Sequence, residues 1–140
     1  MIAEYHSTRR VEFADTDAAG IAHFTAFFAW MEETEHEFLR SRGLSVIVHD
    51  QPERPLSWPR VGVSCDFTSA VRFEDVLDIR LSILRLGAKS ISYGFEFSCE
   101  GRAVAEGRIT AVCCRMSSSG PPESVPIPDW FIEKLGGSPR

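Results

Sequence analysis

Basic side chains gather into no run anywhere in these 140 residues, and acids outnumber Lys and Arg by 20 to 15, for a net charge of −5. A nucleic-acid-binding role therefore has no electrostatic support. No apolar run approaches the length of about 18 residues that a membrane helix requires. No charged-then-apolar leader opens the chain. The expectation is a soluble cytoplasmic protein that engages neither membrane nor nucleic acid. The four cysteines, Cys65, Cys99, Cys113 and Cys114, form no C-x-x-C pair. They lie in strand-like segments among apolar neighbours, which argues for buried reduced thiols over disulfides or zinc. Internal repeats and low-complexity linkers are also missing.

What is present is globular: 44% hydrophobic residues and 11% aromatics, enough for one compact domain over residues 1–140 but not two. Residues 7–14 read as a first strand, with Val11 and Phe13 alternating with Arg10 and Glu12. Asp15 to Ala22 is a turn. From His23 to Arg42 the spacing becomes helical, with Phe24, Phe27, Phe28, Met31, Phe38 and Leu39 in one stripe. Glu32, Glu33, Glu35 and Glu37 are assigned to the opposite, solvated face, and His36 to the surface among them. Gly43 ends the helix behind Arg40 and Arg42.

Residues 44–58, with Pro52 and Pro55, read as an irregular loop, a candidate lid or pocket rim. Four strands follow, marked by alternation through Val61–Phe67, Leu77–Ile83, Ile91–Phe97 and Ala105–Cys113. Leu84 and Leu86 break phase, which signals a bulge or the end of that strand. Hairpin turns are expected at 86–89 and 99–102. A short helix near Pro128 to Leu135 precedes a frayed end. The order is strand, long helix, four antiparallel strands: an α+β fold in which one sheet wraps and buries one helix. Its exposed edge calls for a second copy.

The chemistry concentrates in Asp15-Thr16-Asp17-Ala18-Ala19-Gly20. A calcium loop fails, because the fifth and twelfth positions are Ala19 and Ala26. The remaining readings are a turn whose aspartates cap backbone amides, or a carboxylate facing an apolar helix as base or nucleophile. The helix that follows offers free backbone N–H groups at its start. A base beside such donors is the minimum equipment for acyl hydrolysis. His23, at the turn-to-helix junction, is a cap or a group that orients water or meets a substrate carbonyl. Lys89, in a turn, is a solvated cation or a phosphate partner. Phe24, Phe27, Phe28 and Trp58 are core or the lining of an acyl pocket.

These residues resemble the hotdog-fold acyl-CoA thioesterases, in particular the 4-hydroxybenzoyl-CoA thioesterase group. The likeness rests on Phe13-Ala-Asp15-Thr-Asp17-Ala-Ala-Gly20-Ile, the aromatic helix from Phe24 to Gly43, Phe73-Glu-Asp-Val-Leu-Asp-Ile, Gly87-Ala-Lys89-Ser90 and Val125-Pro-Ile-Pro. It implies a five-stranded antiparallel sheet around the central helix, paired into homodimers or homotetramers with active sites at the dimer interface. It implies Asp17 as catalytic carboxylate, the Phe24 amide as polarising donor, and Lys89 and Ser90 at the coenzyme A site, with no cofactor or metal. In many relatives a His stands where this chain has Phe24; here His23 comes one residue earlier, a turn of about 100° around the helix. Gly87 and Ala88 replace part of the basic cluster of the 4-hydroxybenzoyl enzyme.

Three functions are thus open. The first is hydrolysis of an acyl-CoA, or of an acyl carrier protein thioester. The second is hydration or dehydration of an acyl thioester through His23 with Glu32 or Glu33. The third is thioester binding without turnover.

Overall fold

A computed structural model describes residues 3–136. Its elements run β1 (Glu4–Arg10), a 3-10 turn (Phe13–Asp15), α1 (Phe24–Ser41), β2 (Leu56–Ser57), β3 (Arg60–Phe67), β4 (Val76–Leu86), β5 (Ser90–Cys99), β6 (Arg102–Val112), β7 (Cys114–Arg115), β8 (Glu123–Ser124) and α2 (Asp129–Lys134). The main sheet is antiparallel in the order β1-β4-β5-β6-β3, and β2-β7-β8 form a small second sheet. This is the hotdog architecture: one long helix lying on a five-stranded sheet.

The helix is seated by side-chain size. Phe27, Met31, Phe38 and Leu39 of α1 are buried against Leu81, Phe95, Phe97 and Ile109 of the sheet. Gly107 is what allows the close approach, because a Cβ built there would run into the Met31 sulfur. Gly43, at φ +71°, ends α1, and the Leu44 N–H reaches back to the Leu39 carbonyl at 2.8 Å. The phase break near Leu84 is a register shift between Ile83 and Arg85. The 99–102 hairpin turns through Glu100 and Gly101, both at positive φ.

Two expectations need correction. The first strand is Glu4–Arg10, not 7–14; the chain leaves the sheet before Phe13, whose ring is 77% exposed. Alternation misled because two of the three inward positions of β1 are polar: Ser7 and Arg9 face the acidic side of α1 and bond Glu37 and Glu33. Nor is that acidic side simply solvated. Glu35 is buried, held by the Arg60 guanidinium at the start of β3, and His36 beside it is half-buried. Burial pushes the Glu35 carboxyl above its usual range, even though Arg60 bonds to it. An amphipathic stripe cannot foresee this, since the partners arrive from strands distant in sequence.

The 44–58 segment is partly ordered by a Val48–Leu56 bridge, and Trp58 packs on Phe131 of α2 with ring centroids 5.2 Å apart. Helix α2 follows Pro128 as expected. The expected frayed end falls at 137–140, outside the described residues. All four cysteines are free.

Candidate active site

The segment from Glu12 to Phe24 folds on itself through short-range hydrogen bonds. Asp15 accepts the Glu12 N–H through Oδ2 at 2.9 Å, and its carbonyl accepts the His23 N–H at 2.7 Å. Asp15 is thus spent on the turn. Asp17 donates its N–H to the Ile21 carbonyl and accepts the Gly20 N–H, both at 2.9 Å. Gly20, at φ +79°, makes that reversal possible. One Asp17 carboxylate oxygen accepts the Ala19 N–H at 2.8 Å. The Ala22 N–H bonds the Val71 carbonyl at 2.8 Å, which fastens the turn to the segment leading into β4.

Between these two segments lies a cavity of about 360 Å³, lined by Asp17, Ile21, Ala22, Phe24, Phe27 and Phe67–Val71. Its walls are largely apolar, with one carboxylate. Phe27 and Phe67 meet edge to face at 5.1 Å. The start of α1 opens on the same space. His23 caps it: Nδ1 accepts the Thr25 N–H at 3.2 Å, and the His23 carbonyl accepts the Ala26 N–H at 3.0 Å. The first amide of the helix, that of Phe24, has no intrahelical acceptor. Among the described residues no acceptor bonds it, and it lies at the positive end of the helix dipole on a residue that lines the cavity. Asp17 and the first residue of the helix thus line one apolar space. Such a site can activate a nucleophile and stabilise a developing oxyanion.

The other sequence-derived candidates lie elsewhere. His23 is outside the cavity lining; its ring stacks on Phe24 at 4.6 Å. Lys89 ends the β4–β5 turn and Ser90 opens β5; the Lys89 carbonyl accepts the Cys113 N–H at 2.7 Å. The Asp17 turn neighbours the opposite end of β4, so the strand's full length, about 35 Å, separates them within one chain. Glu33 is bound to Arg9, and Glu32 is exposed within 3.6 Å of Arg60; neither lines the cavity with Asp17. Phe28 and Trp58 do not line it either. Phe67 does, and nothing in its strand-like alternation marked it. Burial, then the nearby Asp66 charge, pushes the Cys65 thiol up to about 11, so it carries no thiolate at neutral pH. Among the described residues no cluster of three His, Cys, Asp or Glu is placed to hold a metal.

A larger groove of about 590 Å³ crosses the face of the sheet, with His6, Asp78, Arg80, Glu96 and Glu106 in its lining. Its acids are surface charges on paired strands, and no free helix amide borders it.

Residues 11–135 match the family model of the thioesterase-like superfamily. The chain is 34% identical over 107 residues to a 1,4-dihydroxy-2-naphthoyl-CoA hydrolase of Prochlorococcus marinus (strain MIT 9313), across 72% of this chain and 71% of that protein. Among solved structures, a gentisyl-coenzyme A thioesterase superposes with TM-score 0.78 and 31% identity, over 95% of this chain and 99% of that one. A 1,4-dihydroxy-2-naphthoyl-CoA thioesterase from Synechocystis superposes with TM-score 0.84 over 95% and 96% of the two chains. At 23% identity that last likeness speaks for the fold alone.

Proposed function

The chain belongs to the thioesterase-like superfamily, and from that premise we propose that it is an acyl-CoA thioesterase working through Asp17 and the Phe24 amide. The observation that carries this reading is that Asp17 and Phe24, the first residue of the helix, line one apolar cavity. The thioester carbonyl oxygen accepts the Phe24 N–H. Asp17 either takes a proton from the attacking water or attacks the carbonyl carbon itself, forming an anhydride that water then opens. The C–S bond breaks, the thiol leaves with a proton, and a free acid remains. An oxyanion donor of this kind is worth roughly 3 kcal/mol. His23 acts by fixing the helix start, so its cap holds the Phe24 amide in place.

The aromatic walls of Phe24, Phe27 and Phe67 suit an aryl acyl group, the kind for which the naphthoyl- and gentisyl-CoA relatives are named. The second copy enters through β3. This strand is one of the sheet's two edges, and Val61, Val63 and Phe67 on it are 64%, 46% and 49% exposed. The Asp17 cavity adjoins the Phe67 end of β3. Lys89 adjoins the Pro59 end, where Val112 bonds Pro59 and Cys113 bonds Lys89. Antiparallel pairing of two β3 edges therefore carries the partner's Lys89 end toward the Asp17 cavity. That supports a homodimer with shared sites, in which Lys89 and Ser90 serve the neighbouring cavity. The free thiols support a cytoplasmic location.

The test is free-thiol release from a panel of short, long and aryl acyl-CoAs, run on wild type and Asp17→Asn. The expected result is aryl preference in the wild type and loss of at least about 100-fold in the variant. Substantial turnover by Asp17→Asn would remove Asp17 from the mechanism.

A further inference from the structure

We propose that Arg72 and Arg102 form a cationic rim on the Asp17 cavity that holds the phosphate of the thiol carrying the acyl group; this rests on the thioesterase reading above. The cavity lining contains a carboxylate and no cation, and the chain carries a net charge of −5. A phosphate-bearing thioester therefore gains from positive charge at the entrance beyond the partner's Lys89 proposed above.

The two arginines stand beside the lining and bond to the segments that form it. Arg72 follows directly on Val71, and its Nη1 donates to the Gly20 carbonyl at 3.4 Å, within the catalytic turn. Arg102 Nη1 donates to Ser69 Oγ at 2.7 Å and to the Ala70 carbonyl at 2.9 Å. Ala70 and Arg72 are two residues apart, at most about 7 Å of chain. Arg9, Arg54, Arg60, Arg80 and Arg115 are each paired to a carboxylate. Among the described residues, no such pair within 4.0 Å involves either rim guanidinium. Asp75 meets Arg72 only at its backbone N–H, at 2.8 Å. Each rim arginine spends one Nη1 on the wall, which positions the fork and leaves its other donors for an anion. A guanidinium fork matches phosphate oxygens in charge and geometry. Other arginines without a carboxylate, such as Arg85 and Arg108, make no such bond to the cavity wall.

The phosphate belongs to coenzyme A or to the phosphopantetheine arm of a carrier protein. The experiment compares one acyl group on three carriers: coenzyme A, a phosphopantetheinylated carrier protein, and pantetheine without phosphate. The Arg72→Gln/Arg102→Gln double variant removes both charges. The expected result is that KM for acyl-CoA, relative to KM for acyl-pantetheine, rises about tenfold or more, while any change in kcat is shared by the two substrates. An Arg→Lys pair should restore part of the ratio. The same rise with the carrier-protein substrate instead would name that source and support the rim equally. An unchanged ratio with both phosphate-bearing substrates, or an equal rise on all three carriers, would overturn it, the latter assigning the arginines to the cavity wall alone.

A binding measurement separates this from failure of the thioesterase reading, and from a variant that does not fold. Free coenzyme A should raise the wild-type melting temperature more than free pantetheine does, and salt should erase the difference. Equal shifts from the two thiols would overturn the rim even if turnover were observed.

Discussion

Asp15 and Asp17 are the same residue type two positions apart, and their surroundings divide the work between them. Asp15 is held by the turn through the Glu12 amide, whereas Asp17 opens on the cavity. Asp15→Ala should therefore cost about 1 kcal/mol of stability, the value of a lost cap, as measured by urea unfolding. Asp17→Asn should leave the urea midpoint nearly unchanged while turnover disappears. Glu37 reports on pH. Desolvation pushes its carboxyl up, but hydrogen bonds from Ser7 and Arg9 outweigh this and hold it below the usual 4.5. A folded-state pKa below the unfolded one means that its stabilisation is complete above about pH 4.5 and drains away as pH falls further. The stability gap between wild type and Glu37→Gln should accordingly narrow below about pH 4.5 in acid-unfolding curves; a gap that widened there would reverse the sign.

At the scale of elements, the contact between α1 and the sheet depends on a missing side chain. Gly107→Ala places a methyl group where the Met31 sulfur lies. Overpacking of this kind costs about 1–3 kcal/mol. Denaturant unfolding should show that loss, and a Met31→Ala background should relieve part of it, since the two positions are in contact. The same helix is tied to the edge strand by Glu35 and Arg60 and to the opposite edge by Glu37 and Arg9. Its acidic side is thus a pair of clamps on β3 and β1. The clamp on β3 matters for the site, because Phe67 at that strand's far end is a cavity wall.

For the whole molecule, the governing feature is the uncovered β3 edge with its exposed valines. A charged side chain on an edge strand opposes strand addition. Val63→Lys should therefore break the proposed β3-paired dimer, read as a monomer in sedimentation, and turnover should fall with it. A monomeric variant with full activity would show that one chain contains the whole site, and Lys89 would then lose its proposed part in it.

By itself the sequence determined the local devices. The helical spacing of its aromatics, the Gly43 stop, the four later strands and the phase break near Leu84 all stand in the structure. They were legible because helix and strand periods, and glycine's freedom at positive φ, act over a few residues. The acidic turn before an aromatic helix was legible for the same reason, being built from hydrogen bonds within ten residues, whereas the choice of Asp17 over Asp15 and of the Phe24 amide came from the family resemblance. Tertiary structure alone decided which acids are buried, which aromatics line the cavity and which cations reach its rim. Glu35 meets Arg60, Phe27 meets Phe67, and Arg102 reaches Ala70, each across 25 or more residues of chain. Contacts at that separation depend on how the strands order themselves in the sheet, and no local period encodes them.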